Sequence, residues 1–392
     1  MTAGKRSLGL ARGWLIGLLL VALLADFLAN DRPLVARLDG ELRFPVAHAY
    51  GEALGLTEPY APTVRNWYRA APDWALWPPV PYAAGATDLR NAGYRGPFSR
   101  QDTAPRARHY LGTDRLGRDV LAGLIVGTRV AVFVGLGSVL LALLLGVPLG
   151  GTAGFFGNRG LRGSRARWWG WGVGLPLGLA YGLVSLVPFF GYGGAARWGI
   201  VLAAGVAASA GLHALLRLFP PLRRSAALPV DTLVLQGIEL FVSVPGLVLL
   251  IALVTLIDRP SLWTVVAIIG VLRWPAVARF LRAELLRVRS LPYIDAARVA
   301  GVGPWRTLFR HALPNAWGPL LVLSSFGLGS AILLEAALSF LGVGIPADQV
   351  TWGSLLRQSR EQPGAWWLAV FPGLLLTLTV LAANVLGERK RG

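Results

Sequence analysis

Eight apolar runs, each long enough to cross the roughly 30 Å hydrocarbon core of a bilayer as a helix, dominate this 392-residue chain. They fall at about residues 13–29, 128–155, 169–190, 196–216, 232–257, 261–280, 317–342 and 365–387. Inside a membrane every backbone N–H and C=O must be satisfied by the chain itself, so runs of this length become helices. Composition agrees. Hydrophobic residues make up 54% and charged residues 15%, against about a quarter charged in a soluble domain. The expected fold class is an all-α polytopic membrane protein.

The net charge is +18, almost all of it arginine. In a soluble protein such an excess would point to nucleic acid. Here the arginines gather between apolar runs, as in loops facing an anionic cytoplasmic leaflet, and nucleic acid is not an expected partner. With a cytoplasmic N-terminus, the cytoplasmic loops hold Arg159, Arg162, Arg165 and Arg167, then Arg217, Arg223 and Arg224, then Arg282 through Arg310, and finally Arg389 to Arg391. The opposite short turns hold little beyond Arg197 and Arg259. Eight spans with both termini cytoplasmic satisfy every short loop. The start, Lys5-Arg6 and Arg12 before an apolar run, also resembles a signal peptide. Because the run leads into Asp26 and Asn30-Asp31-Arg32-Pro33, it is read as an uncleaved first span.

The chain divides into three regions: 1–30, the tail and first span; 31–120, an ordered extracytoplasmic extension with helical ends; and 121–388, the transmembrane domain. Catalytic chemistry finds no foothold. The only Gly-Lys is Gly4-Lys5, so no phosphate loop is present, and no ATP or magnesium is expected on this chain. Cysteine is absent, and His48, His109, His213 and His311 lack metal-ligand spacing. Glu335 lies inside an apolar run, where an ionisable group invites a functional reading. It could pair with an arginine of the 109–120 segment or face the translocation path. Asp114, Arg115, Arg118 and Asp119 could brace one another or form a solvated turn.

The most informative segment is Asp295-Ala296-Ala297, with Gly301 six residues after the aspartate, continuing through Phe309-Arg310-His311 to Leu313-Pro314. Small residues, a glycine turn and a second amphipathic stretch describe a helix–turn–helix knob that could dock a partner. It resembles the EAA loop of ABC importer permeases, with Asp295 at the usual glutamate position. His109 to Val120, containing Gly112-Thr113-Asp114 and Gly117-Arg118-Asp119, resembles the signature before the second span in the dipeptide/oligopeptide/nickel branch. Leu334 to Gly342, with Trp352-Gly353, resembles its late-span signature. Asn30 to Leu34, Phe44-Pro45 and Trp77 to Tyr82 resemble the extension of microcin C/oligopeptide-type permeases.

The resemblance implies a type I ABC importer transmembrane domain in a bacterial inner membrane, working by alternating access. Its coupling loop, about 283–316, would dock a separate ATPase through Asp295, Ala296, Ala297, Gly301, His311, Leu313 and Pro314. The implied partners are a homologous second permease, two ATPase subunits or one fused ATPase, a periplasmic substrate-binding protein, and membrane lipid. The implied cargo is a peptide or peptide-like solute; dipeptides, longer peptides, nickel chelates and peptide antibiotics all remain open. Residues 158–228 fall outside the resemblance and are read as an inserted pair of spans. A secondary transporter would leave the loop unexplained, and a membrane enzyme would need a converging acid, base or metal set.

Overall fold

A computed structural model describes residues 2–58, 60, 67–70, 72–103, 107–182, 195–257, 260–346 and 349–388. Helix α1 (Thr2–Leu23) leads into strands β1 (Val35–Leu38) and β2 (Glu41–Arg43), helix α2 (Pro45–Ala53) and strand β3 (Trp74–Leu76). Helix α3 (Val120–Phe156) is followed by β4 (Arg162–Ser164), α4 (Arg165–Tyr181), α5 (Ala195–Leu216) and β5 (Ser225–Ala227). Then come α6 (Val230–Val242), α7 (Gly246–Thr255), α8 (Leu262–Val288), α9 (Pro292–Val299) and α10 (Pro304–Thr307). The chain closes with α11 (Leu313–Leu341), α12 (Trp352–Glu361) and α13 (Trp367–Glu388).

Among the described residues six helices are long and apolar enough to cross a membrane, and the α6–α7 pair makes a seventh span when its two halves are taken together. The fold class expected from sequence is therefore observed. Two runs differ in detail. The 232–257 run is interrupted before Pro245, which serves as the N-cap of α7 and lacks the N–H a continuous helix requires. The 169–190 run is helical through Tyr181 in α4, and its remainder, 183–190, lies outside the described residues.

Two compact units divide the chain. The first comprises Met1–Val147, Phe241–Val277 and Asn315–Gly392. In it α1 packs along α13, where Trp14 Nε1 donates to Thr379 Oγ1 at 3.2 Å. Arg129 of α3 reaches Asp26 at 2.9 Å and the Ala22 carbonyl at 3.1 Å, fixing the end of the first helix. A core of Leu124, Ile332, Trp352, Leu355 and Leu368 joins α3, α11, α12 and α13. Trp352 is 1% exposed, and its indole N–H donates to the Leu124 carbonyl at 3.1 Å, which satisfies the one polar atom of a large buried ring.

The sequence predicts an ordered extension with helical ends, but its centre is a three-stranded antiparallel sheet in the order β2-β1-β3. β1 and β2 are joined by Asp39-Gly40, both with positive φ (54° and 80°). This is the Asp-Gly hairpin turn whose twist matches that of the flanking strands.

The second unit comprises Pro148–Leu240 and Ala278–Pro314. Here α4 and α5 form an antiparallel hairpin. Glycine recurs every fourth residue of α4, so one face is bare backbone: a Cβ at Gly174 would fall 2.7 Å from Ser209 Cα, and one at Gly178 would fall 2.5 Å from the Ala204 oxygen. Small residues at this spacing let two apolar helices approach within backbone contact, which is how helices associate in lipid. β4 pairs with β5, Arg162 opposite Ala227, and Asn158 bonds Thr232 through side chain and backbone. The inserted segment therefore returns to the point at which it left.

Candidate functional site

The knob expected near residue 295 is present in the second unit. α9 begins with Pro292 at its first turn and carries Asp295 there and Arg298 in its last turn, the arrangement that complements the helix dipole. Ile294 is fully buried and anchors the helix, whereas Tyr293, Ala296 and Val299 face outward, Val299 being 90% exposed. The helix ends in a Schellman motif. Val302 N–H donates to Ala297 O and Gly301 N–H to Arg298 O, both at 3.0 Å, and Gly301 sits at φ 76°, where a side chain is strained.

α10 comes directly after this turn. Trp305 stacks on Phe309 and packs against Phe156, with ring centroids 6.0 and 4.7 Å apart. Leu308–Ala312, including Arg310 and His311, is a π-helical turn in which Leu313 N–H reaches back to Leu308 O. Such turns recur at functional sites because they offset one face of a helix. Leu313 and Pro314 open α11, with Leu313 half-buried and Pro314 exposed. Beside the loop a cavity of about 760 Å³ is lined by Phe155, Phe156, Arg289, Arg298 and Gly301 to Pro304. The exposed Asp295–Arg298 pair, 2.9 Å apart, adds little stability. The loop is shaped by backbone and offers an apolar outer face.

The 109–119 turn of the first unit is built differently. His109 is fully buried, with Nδ1 2.8 Å from Asp119 Oδ2, Nε2 3.4 Å from Asp88 Oδ2, and its ring stacked on Tyr82. Burial disfavours the imidazolium, but the two carboxylates, Asp119 first, outweigh it and raise the His109 pKa above its ordinary 6.5. Asp119 uses its other oxygen to cap α3, accepting the Ala122 N–H at 2.7 Å. Asp114 Oδ1 accepts the backbone N–H groups of Leu116 and Arg118 at 2.8 and 2.9 Å, and Oδ2 accepts from Gln358 at 3.3 Å. Thr113 donates to the Asn91 carbonyl, and its own carbonyl accepts from Trp367 Nε1.

Gly112 and Gly117 both have positive φ (80° and 77°), and a Cβ on Gly117 would lie 1.9 Å from Asp88 O. The four charged residues do not brace one another. Among the described residues no ion pair links Asp114 or Asp119 to Arg115 or Arg118, because both carboxylates are already taken. Glu335 does not meet an arginine of this turn either. It is fully buried in α11, where Oε1 accepts from Ser339 Oγ at 2.8 Å and Oε2 has no donor among the described residues. Asp88 and Asn91, which hold the turn from upstream, carry no sequence signal, since neither belongs to a recognisable spacing.

A multi-pass helical membrane protein with a backbone-shaped knob is thus defined. Residues 225–391 match the family described as the inner membrane component of binding-protein-dependent transport systems. A di/tripeptide transport system permease protein of Pseudomonas aeruginosa is 30% identical over 287 residues, covering 73% of this chain and 71% of the relative. A glutathione transport system permease protein of Pectobacterium atrosepticum is 28% identical over 295 residues, covering 75% and 74%. A protein of Brucella suis named as a peptide permease is 28% identical over 323 residues, covering 81% and 79%. The chain belongs to this family of ABC transporter permease subunits, which are transport proteins and not enzymes.

Proposed function

We propose that this chain is a permease subunit that imports peptides or peptide-like solutes across a bacterial inner membrane, driven by a separate ATPase docked on the α9–α10 loop. The observation that carries the reading is the loop itself. Its outer face, Tyr293, Ala296 and Val299, is apolar and is left uncovered by the described residues, and Gly301 fixes the angle at which that face is presented. ATP-driven closure of an ATPase pair would move the two docked loops and switch the permease pair between inward and outward access. ATP and magnesium belong to the ATPase, as two subunits or one fused chain. A second, homologous permease completes the path, and a periplasmic binding protein delivers cargo.

The orientation, with both termini and the loop cytoplasmic, is supported by the arginine-rich short loops and by parity. The insertion leaves and returns at one place, pinned by β4–β5, so it does not invert the spans after it. The relatives' names cover di- and tripeptides and glutathione, and the motifs of the extension favour the microcin C/oligopeptide type; peptides and their analogues embrace both.

Purification of the tagged chain in mild detergent tests the reading. Wild type should bring down an ATP-hydrolysing subunit and a second permease. Gly301→Arg should remain in the membrane and lose the ATPase, and Val299→Glu, which leaves the turn intact, should do the same. A wild-type chain that retains the second permease but never an ATPase would overturn the reading and favour a secondary transporter.

A further inference from the structure

Among the described residues only six side-chain nitrogen or oxygen atoms are buried without a hydrogen-bond partner. Three of them, Arg118 Nε, Arg357 Nε and Gln349 Oε1, belong to residues lining one cavity of about 480 Å³ in the first unit, between the Asp114–Arg118 turn and α12. That volume lies in the range of small-ligand sites. Buried donors are paired in nearly all native structures, and an unpaired one is costly. Two guanidinium groups in one concavity, with no ion pair to either among the described residues, call for an anion.

The charge around the cavity says which anion. Arg115, Arg118 and Arg357 line it against Asp114 and Glu361, an excess of one positive charge. The Asp114 oxygens are occupied by the backbone of its own turn and by Gln358, so Asp114 offsets one charge without forming an ion pair to either buried arginine. One excess charge suits a monoanion better than a phosphate dianion, and the planar guanidinium fork matches a carboxylate. Two acceptors remain, Gln349 Oε1 and the Glu361 carboxylate. They fit the N–H groups that a peptide carries beside its terminal carboxylate.

The backbone that bears the arginines is held in place. Arg118 closes a turn locked by Asp114 and Gly117, and α12, which bears Arg357, starts in a Thr351–Ser354 capping box. Arg357 lies over the Gly342 turn, with Nη1 2.8 Å from where a Cβ on Gly342 would stand. A site fixed before its ligand arrives loses little on binding.

We propose that this cavity is a carboxylate-binding site that receives the free C-terminal carboxyl group of a peptide on its way through the permease. The proposal rests on the importer reading above. By span order, the 114–118 turn precedes the second span and α12 precedes the last, so in that reading both lie on the side where cargo is delivered.

The test uses the full chain co-purified with its partner subunits in phosphatidylcholine nanodiscs, with trialanine and trialanine carboxamide as probes. Wild type is expected to bind the free acid at least about tenfold more tightly than the amide, the order of effect of one charge-assisted hydrogen bond. Arg118→Gln and Arg357→Gln should each abolish the preference for the acid over the amide. Equal binding of acid and amide by wild type overturns the proposal without relying on any variant. So does binding of neither probe, which would leave the cavity to water. If neither probe binds and yet both variants abolish cellular uptake, the carboxylate comes from a docked protein, and the cargo assignment is again wrong. A complex that forms without an ATPase is a failure of the importer reading instead, and the same preparation reveals it.

Discussion

The Asp114–Asp119 turn uses nearly every polar side-chain atom of its two aspartates on its own chain: Asp114 on two backbone N–H groups and Gln358, and Asp119 on a helix start and on His109. The Pro292–Pro304 loop uses almost none. Its one side-chain ion pair is exposed, and its form comes from a Schellman turn at Gly301 and a buried Ile294. A turn whose carboxylates are paired internally resists change and leaves only its arginines to a ligand. A region set by backbone and one anchor keeps its outer face free. The first is a rigid frame that holds arginines at a cavity and the second a contact surface for a protein, and substitutions should separate the two.

The largest effect should come from Gly117→Val. Its Cβ would lie 1.9 Å from Asp88 O at a φ of 77°, so the turn must open, and a loss above ~3 kcal/mol is expected. A collapsed yield of monodisperse protein in detergent would register it. His109→Leu leaves Asp119 buried with its Oδ2 unpaired and should cost ~3 kcal/mol, read as a lower thermal transition.

The same histidine gives a pH dependence. Because its folded-state pKa is raised above 6.5, its contribution is complete below about that pH and is lost as pH rises through the folded value. Wild type should therefore lose thermal stability relative to His109→Leu on going from pH 6 to alkaline buffer. Gly301→Ala should cost only ~1 kcal/mol, since nothing lies within 4 Å of the added Cβ and only the positive φ is penalised. If the contrast is right, its partner binding should fall further than its stability does. Asp295→Ala should be the mildest, within ~0.5 kcal/mol.

The same contrast governs how far the sequence can be read. Runs of apolar residues and the Asp295–Pro314 spacing are local patterns, and the helices and the knob appear where those patterns lie. The pairings of the 109–119 turn are not local. Asp88, Asn91, Gln358 and Trp367 arrive from up to 254 residues away, and no spacing within the turn announces them. That is why Asp114 and Asp119 suggest, from sequence, a brace with Arg115 and Arg118 that does not form. Other signals are local but easily passed over in a chain dominated by apolar runs. Asp39-Gly40 marks a hairpin, the four-residue glycine period of α4 marks a close helix pair, and Pro245 marks the break between α6 and α7.

The central claim is that the outer face of α9 touches an ATPase. The chain contains no cysteine, so Val299→Cys gives it a single site for a benzophenone maleimide, and the co-purified complex can be labelled and illuminated beside the same complex built on the cysteine-free wild-type chain. The account predicts an adduct between this chain and the ATPase subunit, absent when the label sits on the exposed Leu177→Cys of the inserted hairpin. An intact complex in which the Val299→Cys label captures only lipid, or captures the second permease, would contradict it.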